Sequence, residues 1–262
     1  MNILIIGEPS ENLILLIKRS NYTEKIYTAL NSGETEFPNI TYRNFDELIQ
    51  KALALKIDIA VNLDKTLIAS GIAEFFEKSK INLISVNKKW LNLETSRLSA
   101  KKLLDYYKIN NPQIIRIPIS FPVILKTDLP GNDYKISDMH ELVEKMEKIR
   151  NETKFFEEFM PEASFKLYTV WDKRNVKFFR RTKKLTEVQK DRLDLLETKL
   201  NFMLSDENAD FTGVFGINLI WHKNDWYAGD FDMCPELPAE FLEGTDFIFL
   251  LNSAIYQKLN EI

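Results

Sequence analysis

Asp230-Phe231-Asp232 stands near the end of the chain, on what reads as the second strand of a hairpin. Side chains alternate across a strand, so Asp230 and Asp232 share one face while Phe231 takes the other. Two like charges side by side are unfavourable unless water, a cation or a basic group answers them. Oxygen pairs of this kind suit magnesium that is also held by substrate phosphates; a solvated strand end is the plainer use of the same residues. Asn218, in Gly216-Ile217-Asn218-Leu219 on the first strand of the hairpin, is a candidate third oxygen ligand, with a satisfied hairpin amide as its alternative.

Upstream residues supply the complementary charge. Lys126 closes the apolar run Pro122-Val123-Ile124-Leu125 and precedes a turn-rich loop, where a lysine can meet phosphates as a point charge. Arg97, early in a helix after Glu94-Thr95-Ser96, carries the forked guanidinium suited to bidentate phosphate binding. Glu157-Glu158-Phe159-Met160 ends another strand and could clamp a base and ribose, with Phe159 and Met160 giving apolar contact. Taken singly, these are also what a surface lysine, a solvated helix arginine and a charged strand end look like. Seven basic residues between Lys173 and Lys184 could draw an anionic substrate, or simply solvate a hairpin. His140 and His222 lack ligand spacing with Cys234, and no zinc site, nucleophile triad or P-loop is present.

Composition bounds the classes. The 262 residues are 45% apolar and 28% charged, an ordinary globular balance with ample size for a core. A net charge of -4 argues against a general nucleic-acid or membrane-surface binder. Cys234 is the sole cysteine, so no disulfide forms within the chain and a reducing compartment is the simplest home. No apolar run approaches the ~20 residues that cross a bilayer. Met1-Asn2-Ile3-Leu4-Ile5-Ile6-Gly7 lacks the basic start of a signal peptide and reads as the first buried strand of a cytoplasmic protein.

The elements that must position these side chains fall into two styles. Strands over 2–7, 25–30, 57–62 and 82–86 alternate with helices near 11–20, 46–56 and 66–80, an α/β pattern with a parallel sheet. Leu98, Leu103, Leu104 and Tyr107 make a helical face over 95–108. Pro112 and Pro118 interrupt a connector, and the boundary is expected at 112–121, dividing the chain into 1–115 and 116–262. Beyond it the pattern is α+β: strands over 122–127, 155–159, 164–171 and 175–181, helices over 138–150 and 186–204, then the hairpin of 213–221 and 226–231. An amphipathic helix over about 245–259 closes the chain.

Taken in order, these segments resemble an ATP-grasp enzyme, and within that superfamily glycinamide ribonucleotide synthetase (phosphoribosylamine–glycine ligase). Leu93-Glu94-Thr95-Ser96-Arg97-Leu98-Ser99-Ala100-Lys101 resembles the family's L-E-G-S-K-x-F-A-K helix. Phe121-Pro122-Val123-Ile124-Leu125-Lys126-Thr127-Asp128 is similar to Y-P-V-V-V-K-A-D, and Phe156-Glu157-Glu158-Phe159-Met160 to the I-E-E-F-L hinge over the adenine. Gly229-Asp230-Phe231-Asp232 takes the place of the E-F-N metal strand.

The resemblance implies a parallel-sheet pre-ATP-grasp domain followed by an ATP-grasp domain. It implies an ATP-dependent carboxylate–amine ligase working through an acyl phosphate, as in purine biosynthesis, with ATP and Mg2+ as cofactors and a small carboxylate and amine as substrates. Lys126 and Arg97 would then be catalytic and touch the nucleotide together with Glu157, Glu158, Phe159 and Met160, and Asp230, Asp232 and Asn218 would hold the metal. Nucleic acid and membrane are not expected as partners.

The chain also departs from the family. Gly7-Glu8-Pro9-Ser10-Glu11-Asn12-Leu13 stands for its G-x-G-G-R-E-H, Gly131-Asn132-Asp133-Tyr134 for a long glycine-rich lid, and Ser164 for a ribose-holding glutamate. The substrate loop G-P-N-T-G-G-M-G has no counterpart, and Cys234 sits near the place of an arginine. These departures raise a second expectation, a catalytically inactive ATP-grasp paralogue that binds a nucleotide or a protein partner.

Overall fold

Strand β1 (Asn2–Ile6) is buried on both faces, as its unbroken apolar run requires of a central parallel strand. The computed structural model describes residues 1–30, 35–131, 133–161, 164–180, 185–238 and 246–259. Helix α1 (Glu11–Lys18), β2 (Lys25–Ala29), α2 (Phe45–Ala54), β3 (Ile59–Asn62), α3 (Lys65–Ala69), α4 (Ile72–Phe76) and β4 (Asn82–Ile84) follow. The four strands form a parallel sheet in the order β2-β1-β3-β4. Ile3 and Ile5 pack on α1, whereas Leu4 and Ile6 meet Leu48, Ala52, Ile72 and Phe76 of α2 and α4. Gly7 ends β1 at φ +90°, and a Cβ there would lie 3.1 Å from the Asp64 backbone nitrogen, so only glycine fits this turn without strain.

Helices α5 (Lys88–Thr95) and α6 (Arg97–Tyr106) lead out of this layer. Strands β5 (Ile114–Ile115), β6 (Val123–Thr127), β7 (Asp133–Ile136) and β8 (Lys154–Glu158) form an antiparallel sheet, order β5-β8-β6-β7, with α7 (Met139–Lys148) inserted before β8. Val123 and Leu125 pack with Ile136 of β7, Leu142 of α7 and Ile149 on one face of it. Alternation therefore turns Lys126 to the other face.

A third sheet, order β10-β9-β11-β12, is built from β9 (Ser164–Asp172), β10 (Val176–Arg180), β11 (Thr212–His222) and β12 (Asp225–Asp232). Helix α8 (Glu187–Asp206) covers it with Leu193, Leu196, Leu200 and Met203, around the fully buried Trp171. Trp90, Leu91 and Leu104 of α5 and α6 join the same core, so apolar packing runs across the expected boundary at residue 115. On its other side Tyr168 and Val170 meet Ile3, Ile5 and helix α9 (Phe247–Ile255).

Three expectations are corrected. The helix expected over 66–80 is two short helices, α3 and α4, because Gly71 adopts φ +86° between them. The helix expected over 95–108 is preceded by the unexpected α5 and starts afresh at Ser96, whose extended backbone breaks the run. The closing helix is buried through most of its surface rather than amphipathic, with Phe247, Ile248, Leu250, Leu251, Ser253 and Ala254 all enclosed. Residues 181–184 of the basic stretch, and Thr245 of the closing helix, lie outside the described residues.

Candidate functional site

Ser96 ends α5 and caps α6, its hydroxyl accepting from the Ser99 N–H. Asp128, just past β6, reinforces that cap: its carboxylate accepts from the Leu98 N–H at 2.8 Å, and its carbonyl from the Arg97 N–H at 3.1 Å. A carboxylate at a helix N-terminus answers the unpaired amides there. The start of α6 is thereby locked to the strand that carries Lys126.

Arg97 and Lys126, far apart in sequence, meet over one carboxylate. Lys126 Nζ lies 3.1 Å from Asp230 Oδ2 and 3.2 Å from Glu157 Oε2. Arg97 grips Asp133 through Nη1 at 2.6 Å and Nη2 at 3.2 Å, and its Nη2 reaches Asp230 at 3.3 Å. Its Nε lies 3.1 Å from Asp230 Oδ1 but off the hydrogen-bonding direction, so this buried N–H has no hydrogen-bonded acceptor among the described residues. Lys101, one turn along α6, holds the other oxygen of Glu157 at 2.8 Å and also donates to the Pro112 carbonyl. Three cations and three carboxylates thus form one mostly buried cluster.

Burial alone would lower the Lys126 pKa, but Asp230, Glu157 and Asp133 outweigh it and hold the ammonium above its usual value. For Lys101 burial outweighs Glu157, and the pKa falls below the ordinary lysine value.

Asp232 belongs to an adjoining cluster. It receives Lys166 at 2.7 Å and Lys65 at 3.3 Å, and Lys65 also binds Glu94 at 2.6 Å. Burial would raise the Asp232 pKa, yet Lys166 and Lys65 together bring it below the ordinary carboxylate value. Gly216 opposite Asp232 gives Lys166 room, since a Cβ there would come within 2.9 Å of the lysine stem. Burial pushes the nearby Cys234 thiol up to about 12, which makes it a poor nucleophile.

Asp230 and Asp232 do flank a buried Phe231, but a bulge opposite Asn218 lies between β11 and β12. Trp226 and Ala228 enter the core before the bulge, and Phe231 and Met233 after it. Among the described residues the two carboxylates share no cation: Arg97 and Lys126 answer the first, Lys166 and Lys65 the second. Asn218 is half-buried and its amide makes no hydrogen bond among the described residues. No group of three or more His, Cys, Asp or Glu placed to hold a metal occurs among the described residues.

Of residues 157–160, Glu157 enters the cluster and Glu158 does not; the latter accepts from the Gln113 N–H at 3.1 Å. Phe159 is half-buried beneath Lys135, whose ammonium sits 4.4 Å from the ring centre, and Met160 is buried. Sequence reading missed Asp133, Lys65, Lys166 and Glu94 as members of the site. It gave no role to Lys101, although that lysine closes the motif that contains Arg97.

Superposition identifies the arrangement as the ATP-grasp fold, with its pre-ATP-grasp parallel sheet. Phosphoribosylamine–glycine ligase from Thermotoga maritima aligns over 89% of this chain and 68% of its own, with TM-score 0.67 and 16% identity. D-Alanine–D-alanine ligase from Bacillus anthracis, complexed with ATP, aligns over 100% and 94% with TM-score 0.60 and 16% identity. In sequence the chain resembles phosphoribosylamine–glycine ligase: that of Caldanaerobacter subterraneus subsp. tengcongensis is 29% identical over 115 residues, 42% of this chain and 28% of that protein. The matched segments span about a third of the length of the curated relatives. No family model matches the chain. No helix among the described residues is long and apolar enough to cross a membrane.

Proposed function

We propose that the chain is an ATP-dependent carboxylate–amine ligase, similar in reaction type to phosphoribosylamine–glycine ligase, in a reducing cytoplasm. The observation that carries this reading is the meeting of Lys126 and Arg97 on Asp230 within 3.3 Å, cations and carboxylate brought from distant parts of the chain. Arg97 Nε, buried and without a hydrogen-bonded acceptor, is a donor for which a phosphoryl oxygen is a fitting partner. Asp230 and Asp232, with Asn218 beside them, would hold magnesium, an ion that needs only one or two carboxylates when phosphates complete its shell. When bound, magnesium would draw charge from the phosphate oxygens.

In this reading Lys126 and Arg97 exchange their carboxylates for phosphates and stabilise charge during transfer. The γ-phosphoryl passes from ATP to a substrate carboxylate oxygen, leaving ADP and an acyl phosphate. The amine nitrogen then bonds to the acyl carbon, the carbon–oxygen bond to phosphate breaks, and the nitrogen loses its proton to the departing phosphate or to water. Glu157 and Lys101 position Lys126, and residues 157–160 face the base. We assign residues 1–115 to the pre-ATP-grasp domain and 116–262 to the ATP-grasp domain.

Lys126→Ala and Asp230→Ala are each expected to abolish nucleotide-dependent turnover, read as ADP release with a panel of carboxylates and amines. Wild-type rates in either variant would remove the mechanism. The charge balance of the inner cluster favours a second reading, a nucleotide- or protein-binding paralogue without turnover, because each cation already has a carboxylate. Calorimetry with ATP and magnesium separates the two. Binding without ADP release across the panel supports the inactive form, and no binding leaves an interaction role.

A further inference from the structure

A cavity of about 370 Å³ lies beyond the C-terminal ends of β1, β3 and β4, closed on its far side by the segment that leaves β12. Crevices at this end of parallel strands are where open α/β sheets take ligands. The cavity adjoins the ionic site, for Met233 and Cys234, which line it, directly follow Asp232. The Cys234 N–H also donates to the Asp232 carboxylate at 3.3 Å.

Slightly more than half of its lining surface is apolar, and Leu13, Val61, Ile84, Val214 and Phe247 contribute to it. No lysine or arginine among the described residues lines it. Among the described residues its only charged lining groups are Glu8 and Glu236, both exposed at the rim and in no ion pair with another described residue. The polar groups deeper in are engaged with one another: Asn62 Nδ2 donates to Ser85 Oγ at 3.2 Å, and that hydroxyl to the Val86 carbonyl at 2.9 Å.

A phosphate would need charged donors here and would meet carboxylates instead. Helix α1 does point its N-terminus at the cavity, but its own residues answer it. Ser10 Oγ takes the Leu13 N–H at 3.3 Å, Glu11 occupies the first turn, and Pro9 has no N–H to offer.

We propose that this cavity holds the amine substrate, and that the amine is an unphosphorylated compound with a small apolar body. Its ammonium sits at Glu8 and Glu236, where it gives one proton to water at this exposed rim before the freed amine nitrogen attacks, and its carbon skeleton lies against Val61, Ile84 and Val214. The assignment of a substrate role rests on the ligase reading above; the binding chemistry does not. The relatives named phosphoribosylamine–glycine ligases act on a phosphorylated amine, so the lining marks a difference of substrate class.

Calorimetry on the full chain, with and without a non-hydrolysable ATP analogue, tests it with isoamylamine and leucinamide against phosphoethanolamine and ribose 5-phosphate. Saturable binding of the first two alone is the expected result. The double variant Glu8→Gln, Glu236→Gln should weaken it about fivefold, as two partly exposed charge contacts would, and Val214→Phe should block it by filling the cavity. Unaltered binding in the double variant, tighter binding of either phosphate compound, or no amine binding in either condition overturns the proposal. ATP binding, measured separately, tells the two readings apart. Amine binding without ATP binding overturns the ligase reading and leaves the cavity assignment standing, whereas ATP turnover without amine binding does the reverse.

Discussion

Replacing Asp230 with Asn removes one negative charge while keeping the side-chain shape. Arg97, Lys101 and Lys126 are then opposed by Asp133 and Glu157 alone, an excess of one positive charge in a mostly buried cluster. Neutralising one partner of a buried ion pair costs about 3–5 kcal/mol, because the other charge is left poorly solvated. Asp230 is 27% exposed, Lys126 keeps Glu157 at 3.2 Å and Arg97 keeps Asp133 at 2.6 Å. The expected loss is therefore below that range, about 2–3 kcal/mol. Urea unfolding near neutral pH measures it, with Asp191→Asn on the exposed face of α8 as a control that should stay within about 0.5 kcal/mol. The same titration in tripolyphosphate, free of divalent metal, completes the test. An anion that reaches Arg97 and Lys126 should stabilise Asp230→Asn about 1 kcal/mol more than wild type, and the excess should shrink in high salt. A loss below about 0.5 kcal/mol, or equal stabilisation of both proteins, refutes the view that Asp230 occupies the place of a phosphate.

Asp133→Asn should tighten ATP binding about fivefold in calorimetry, since it removes a competitor for the Arg97 fork, while costing under about 1 kcal/mol of stability at a site this exposed; weaker binding would reverse that account. The Asp232 carboxyl is held below its ordinary pKa of 3.8 because Lys166 and Lys65 outweigh burial. A lowered folded pKa contributes stability that is complete above the unfolded pKa and is lost as pH falls through the folded one. The gap in urea midpoint between wild type and Asp232→Asn should thus hold steady at neutral and mildly acid pH and close on acidification below 3.8; a gap that widens in acid contradicts the pairing. Gly7→Ala, at φ +90° and within 3.1 Å of a backbone nitrogen, should cost about 1–2 kcal/mol in thermal or urea unfolding, and a neutral result would mean the turn relaxes freely.

Much of the fold was legible because its signals are local. The run Ile3-Leu4-Ile5-Ile6 and the alternation around Val123 and Leu125 each lie within a few residues, the range over which periodicity acts. Helix α5 went unread although Asn87 caps it by accepting the Trp90 N–H at 3.2 Å, because Lys88, Lys89 and Asn92 dilute its apolar face. β7 was hidden by the turn residues before it: Asp133 looks like loop chemistry yet pairs with Lys126 in the sheet.

The sequence alone singled out the residues around which the ionic clusters form: Lys126 at the end of a buried strand, Arg97 after a helix cap, and two carboxylates flanking Phe231. Only the tertiary structure decided what each of them answers. Asp230 draws cations from α6 and β6, and Asp232 draws Lys65 from 167 residues away and Lys166 from β9, two strands over in the same sheet. Charge pairing over such separations depends on how sheets pack and where a bulge turns a strand, and a one-dimensional pattern of residues holds no record of either.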